Sequence, residues 1–123
     1  MGNLLFHKEH CWIRSEGDIG TIGISDFAQN QMGQIIYVEI PETGRELAVG
    51  EEFGAIESSK TTSDLIAPVS GEVLEANTSL EDDPTLINRS PYDQGWIARI
   101  RISQPSELEG LLDEASYLQK VSG

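Results

Sequence analysis

Residues 55–73 read AIESSKTTSDLIAPVSGEV, and the fold turns on how this stretch is read. Phe53 to Glu57 is strand-like and leads up to Ser58-Ser59-Lys60-Thr61. Thr62 to Ile66 leads away, and Ala67-Pro68-Val69-Ser70-Gly71 closes the segment with turn residues. The pattern predicts two short antiparallel strands with a lysine at the tip. The chain has only 8 Lys and Arg against 21 Asp and Glu, so a lysine at that point calls for a reason. Most lysines are simply solvated. One at the tip of a tight hairpin is also reachable by a modifying enzyme. Its amine is nucleophilic once deprotonated, and an arm amide-linked there would swing clear of a rigid body.

The sequence around the hairpin is also mainly β. Residues 11–15, CWIRS, lead through Glu16-Gly17-Asp18 into IGTIGI, which reads as a second hairpin. Ser25 is placed to cap a helix of about two turns, DFAQNQM, that stops at Gly33. QIIYVEI is a strand ended by Pro41 and the turn Glu42-Thr43-Gly44. VGEEFGAIES and VSGEVLEANT echo one another weakly, as two halves of a flattened barrel would. Residues 78–95 are acidic and turn-rich, with one helical turn expected near Pro84 to Ile87. WIARIRI alternates, which places Trp96, Ala98, Ile100 and Ile102 on one face. Near the end, Ser106-Glu107-Leu108-Glu109 matches a capping box, and Leu108, Leu111 and Leu112 form an apolar stripe. Asp113 is placed to cap a last helix carrying Tyr117, Leu118 and Val121.

At 123 residues and 38% hydrophobic content, the chain is expected to be one domain, 1–123, with one modest core. No composition shift marks a linker. The formal net charge of −13 disfavours nucleic acid and anionic membranes. It suits solubility, or electrostatic steering toward basic partners. With one cysteine, Cys11, no intrachain disulfide is possible, and a reducing compartment fits. No apolar run approaches the roughly 20 residues that span a membrane. The start, MGNLLFHKEH, is too short and polar for a signal peptide, and Phe6 spoils the myristoylation pattern begun by Met1-Gly2.

Little in the chain reads as a self-sufficient active site. His10 and Cys11 are strand neighbours that should point to opposite faces, so they make no catalytic dyad. His7 and His10 lie three apart in what reads as an extended segment, with no second cluster to complete a metal tetrahedron. Neither G-x-x-x-x-G-K-S/T nor G-x-G-x-x-G occurs. An enzyme reading rests on His10-Cys11 alone. A scaffold reading, in which the acidic face only binds, requires Lys60 to stay unmodified and Lys60→Arg to be silent.

Glu57-Ser58-Ser59-Lys60-Thr61-Thr62-Ser63-Asp64, followed by Pro68-Val69-Ser70-Gly71-Glu72-Val73, resembles the lipoyl-lysine hairpin of the glycine cleavage system H-protein family. The resemblance covers nearly the whole chain. It includes Gly23-Ile24-Ser25-Asp26 with Ala28-Gln29, Val38-Glu39-Ile40-Pro41 with Gly44, and Leu86-Ile87-Asn88. It continues through Ser90-Pro91-Tyr92, Gly95-Trp96 and Pro105-Ser106-Glu107-Leu108. It implies a mainly β, hybrid barrel-sandwich with one short helix after the first hairpin and others at the C-terminus. It implies lipoate in amide linkage on Lys60, on an arm of roughly 14 Å, attached by a lipoate-protein ligase or a lipoyl/octanoyl transferase. The carrier would be a substrate of enzymes. It would accept an aminomethyl group from a PLP-dependent glycine decarboxylase and present it to an aminomethyltransferase. A dihydrolipoyl dehydrogenase would then reoxidise the dithiol, the chemistry belonging to the cofactor. Biotin carriers share the hairpin, but their lysine sits between methionines, where this chain has Ser59 and Thr61. A monomer in bacterial cytoplasm is the expected state.

The resemblance implies a cleft for the arm at Glu9, His10, Cys11 and Gln31, and the chain departs from the family's pattern there at Cys11 and Gln31. Family members usually read His-Glu-Trp, and this chain reads His10-Cys11-Trp12. The resemblance gives that glutamate the task of holding a cationic aminomethyl arm, through a charge-assisted bond worth about 1.5–3 kcal/mol. Gln31 stands where a histidine is common, and Ser59 where valine is usual. A second branch of the family therefore stays open: H-like lipoate-binding proteins that carry sulfur for a heterodisulfide reductase-like complex. Cys11 would then be a candidate redox partner of the dithiolane.

Overall fold

The computed structural model describes residues 4–122; the Met1-Gly2 start lies outside them. Among the described residues, ten strands are interspersed with four short helices. Strand β1 (Leu4–Phe6) precedes the hairpin β2 (Cys11–Glu16) and β3 (Ile19–Ile24), whose turn is Gly17-Asp18 as the sequence predicts. Helix α1 (Asp26–Met32) follows, then β4 (Ile35–Glu39), β5 (Glu46–Leu47), β6 (Glu52–Ser58), β7 (Thr62–Ile66) and β8 (Gly71–Ala76). The acidic stretch carries two single-turn helices, α2 (Ser79–Asp82) and α3 (Leu86–Arg89), where one was expected. Strand β9 (Ala98–Ile102), a 3-10 helix (Pro105–Gly110), β10 (Leu112–Asp113) and α4 (Glu114–Ser122) complete it.

Two antiparallel sheets face one another. The larger has the order β10-β1-β2-β3-β9-β8-β5, and the smaller has the order β4-β6-β7. This is the mainly β sandwich that the sequence predicts, with the echoing strands β6 and β8 in different sheets. The main core between the sheets is built by alternation: Ile13, Ile22, Val38, Ile56, Leu65, Val73 and Ile100 all point inward and are buried. A smaller aromatic cluster of Phe6, Trp12 and Tyr117 attaches α4 to the large sheet. Phe6 and Tyr117 stack with centroids 4.4 Å apart. Trp12 lies opposite Gly23, where a Cβ would meet the indole at 2.8 Å, so only glycine admits the ring there.

Three local expectations are corrected. The His7–His10 segment is a turn, not an extended run: His10 donates its N–H to the His7 carbonyl and holds φ at 78°. The Ser106 capping box does not form: Pro105–Gly110 is a 3-10 helix flanked by Gln104, so Ser106 sits inside it and not ahead of it, while Glu107 accepts from Ser70 N at 2.6 Å and Ser70 Oγ at 3.1 Å. Trp96 precedes β9 and packs on the aromatic cluster, while Ile97 is fully buried. Asp113 does cap the last helix, accepting from Ser116 N at 2.8 Å.

Candidate functional site

Strands β6 and β7 pair from Glu52 opposite Ile66 to Glu57 opposite Thr62, so the loop that remains is Ser58 to Thr61. Ser58 N–H donates to the Thr61 carbonyl at 2.8 Å, which closes the turn. The Ser58 side chain is buried beneath it and accepts the N–H groups of Lys60 (3.2 Å) and Thr61 (3.1 Å). One serine thus satisfies two loop donors that would otherwise need water. Ser59 N–H reaches the Gln34 carbonyl, tying the tip to the start of β4. Lys60 is exposed at the apex.

Beneath the lysine lies Gly33, the residue that ends α1. Its φ is +80°, and a Cβ there would stand 3.0 Å from Lys60 Cε. Asn88 of α3 fixes this loop. Its Nδ2 donates to the Gly33 carbonyl and to Gln29 Oε1, both at 2.8 Å, and its Oδ1 accepts from Ile35 N at 2.9 Å. The floor under Lys60 is therefore held from three directions by one amide.

Next to the hairpin is a cavity of about 260 Å³, bounded by β7, α1 and the turn before β2. Glu9, His10, Cys11, Gln31, Ser63 and Asp64 all line it, along with apolar side chains of the core. The structure thus gathers the four residues singled out for the arm cleft and sets them beside the lysine hairpin. Glu57 is on the outer face of the small sheet, in line with Thr62. His10 Nδ1 lies 2.7 Å from the Tyr117 hydroxyl, which in turn lies 2.6 Å from Ser25 Oγ. Ser25 Oγ also accepts from Ala28 N, capping α1 as predicted. Burial holds the His10 imidazole below its usual pKa, with Glu9 pulling the other way. Burial likewise pushes the Cys11 thiol up to about 12, so it is a thiol and not a thiolate at neutral pH.

Sequence reasoning missed Asn88, Ser58 as the turn's internal brace, and Tyr117 as the partner of His10. Only Ser58 carried a local signal, as a hydroxyl two residues before a loop N–H. Asn88 and Tyr117 act across 55 and 107 residues respectively.

The family model for the glycine cleavage H-protein matches residues 4–123. The chain belongs to the glycine cleavage H-protein family. The glycine cleavage system H protein of Symbiobacterium thermophilum is 55% identical over 115 residues, covering 94% of this chain and 90% of that protein. The corresponding protein of Bacteroides thetaiotaomicron is 48% identical over 121 residues, covering 98% of this chain and 96% of the relative. The crystal structure of a glycine cleavage system H protein from Mycobacterium marinum superposes with a TM-score of 0.87 at 32% identity, covering 100% of this chain and 99% of that one. Membership of the H-protein family makes this chain a lipoyl-carrier component of the glycine cleavage system. The matches lend no support to the sulfur-carrying branch.

Proposed function

We propose that Lys60 is the lipoyl lysine and that the whole chain, 1–123, acts as one carrier module rather than as an enzyme. The observation that carries this is the braced hairpin: the lysine at its apex is exposed, and the hairpin stands beside a partly apolar cavity. The residues fit lipoate. The amine is exposed for acylation, and Ile56, Leu65, Met32 and Phe27 offer the cavity an apolar lining for the hydrocarbon arm. When bound, lipoate supplies a dithiolane that accepts the aminomethyl group and is later reoxidised.

What the chain contributes is position and shelter. In attachment, deprotonated Nζ attacks the activated lipoyl carbonyl, the C–N bond of an amide forms, and the bond from that carbonyl to its activating group breaks, the activating group leaving with the proton given up by the amine. Ser58 keeps Lys60 at the apex for that encounter. Gly33 leaves room for the lysine stem to lie across the end of α1. Cys11 and Gln31 present neutral groups to the cleft, and its formal charges come from Glu9 and Asp64 alone. A cleft of that character favours a cationic cargo over an anionic one. The partners in this reading are the glycine decarboxylase, the aminomethyltransferase and the dihydrolipoyl dehydrogenase, in the cytoplasm; no helix of the described residues is long and apolar enough to cross a membrane.

The reading is tested by treating the unmodified chain with lipoate and a lipoate-protein ligase, then supplying it to glycine decarboxylase with glycine. Carbon dioxide release should depend on the loaded chain and vanish for Lys60→Arg. Equal release from Lys60→Arg contradicts it.

A further inference from the structure

The outer face of the small sheet carries an apolar patch that the core does not use. Ile36 and Tyr37 are adjacent in β4, yet both are exposed, at 49% and 56%. Adjacent strand residues normally face opposite sides. Here the β4–β6 register shifts between Ile35 and Tyr37, and such a bulge turns two neighbours outward together. Tyr37 lies directly opposite Glu57, and Glu57 opposite Thr62, so these three form a row across the outer face. Glu39, Ala55 and Asp64 form the next row. At about 3.3 Å per residue, Tyr37 stands on the order of 10 Å from the hairpin apex.

Charge on this face has one sign. Glu39, Glu57 and Asp64 ring the patch, and strands β4, β6 and β7 contain no Lys or Arg. None of the three carboxylates is in a hydrogen bond or ion pair among the described residues. Arg45 reaches only the far end of the sheet, at Glu52 and Phe53. Amide formation at Lys60 would remove the charge at the hairpin apex next to the face. A second copy of this chain would bring like charge against like, which costs affinity.

We propose that Ile36 and Tyr37, ringed by Glu39, Glu57 and Asp64, are the docking surface for the enzyme that receives the arm. That enzyme would present an apolar socket with a basic rim beside the mouth of its lipoyl channel. The inference rests on Lys60 carrying the arm, and it adds that the protein surface, and not the arm alone, sets recognition. Aromatic anchors in a charged surround are where interfaces concentrate their energy, and a complementary rim speeds encounter.

The experiment uses the fully lipoylated chain and the glycine decarboxylase of the same cells, with lipoylation verified beforehand by intact mass. A chain that cannot be lipoylated indicts the Lys60 reading and is seen before any kinetics are run. The double variant Ile36→Thr/Tyr37→Thr places a β-branched residue of good strand propensity at both positions. It should raise the KM for the carrier about tenfold or more with kcat retained and melting unchanged. Glu39→Gln/Glu57→Gln should flatten the salt dependence of KM. An unchanged KM in the threonine variant overturns the proposal. So does an unchanged KM accompanied by loss of a wild-type dimer in sedimentation, which would assign the face to self-association.

Discussion

Ser58 and Cys11 show how single positions are set by what surrounds them. Ser58 is buried at the foot of the loop, and its oxygen receives the N–H groups of Lys60 and Thr61. Ser58→Ala removes that acceptor and should cost about 1 kcal/mol in urea unfolding. It should also slow ligase-catalysed lipoylation, because the apex is no longer braced. Cys11 is the departure from the family's pattern that first suggested a redox role. With the thiol's pKa at about 12 and its side chain 2% exposed, native protein should resist iodoacetamide at neutral pH and react once unfolded in urea. Its pH signature has a definite sign. The folded-state pKa lies above the unfolded value of about 8.5, so the folded chain holds the proton longer. Stability should be whole below pH 8 and fall as pH rises toward 12. Cys11→Ala should remove part of that decline, so that by pH 10 the two proteins' losses of stability differ by about 2 kcal/mol. Equal slopes in urea titrations would contradict the buried thiol.

At the level of elements, the site is a junction between parts that are distant in sequence. Helix α1 ends at Gly33 under the lysine, α3 sends Asn88 to hold that ending, and α4 sends Tyr117 to His10. Asn88→Ala leaves Ile35 N and the Gly33 carbonyl without their partner. It should destabilise by about 2–3 kcal/mol and loosen the Gly33 loop, read as faster amide exchange at residues 33–35 than elsewhere. Local pattern was enough for the hairpins, for Ser25 as a cap and for Gly33 as a stop, because each depends on neighbours within a few residues. It failed at residues 7–10, which read as an extended segment, whereas the backbone makes a turn with His10 at positive φ. It failed again at Ser106, which lies inside the 3-10 helix Pro105–Gly110 and so cannot cap it. Lys60 was legible because a lysine at a hairpin apex is a local statement. The cleft walls could be named from the resemblance, but their meeting at one cavity is a product of sheet packing that no short window contains.

Across the whole molecule, two sheets close over one main core, and the smaller sheet displays its lysine at one end. The excess of acid, −13 overall, is not spread without consequence. Strands β4, β6 and β7 next to Lys60 contain no Lys or Arg, which suits a carrier that visits basic-rimmed enzymes and then leaves. Binding to such enzymes should weaken as salt screens the interaction over a Debye length of about 8 Å at physiological ionic strength. The central claim is that Lys60 carries the arm. It is tested most directly by the intact mass, without reductant, of this chain purified from its own cells beside a Lys60→Ala variant. The account predicts a lipoyl increment on the wild type that is lost in the variant. An unmodified wild type, or an increment that persists without Lys60, would contradict it.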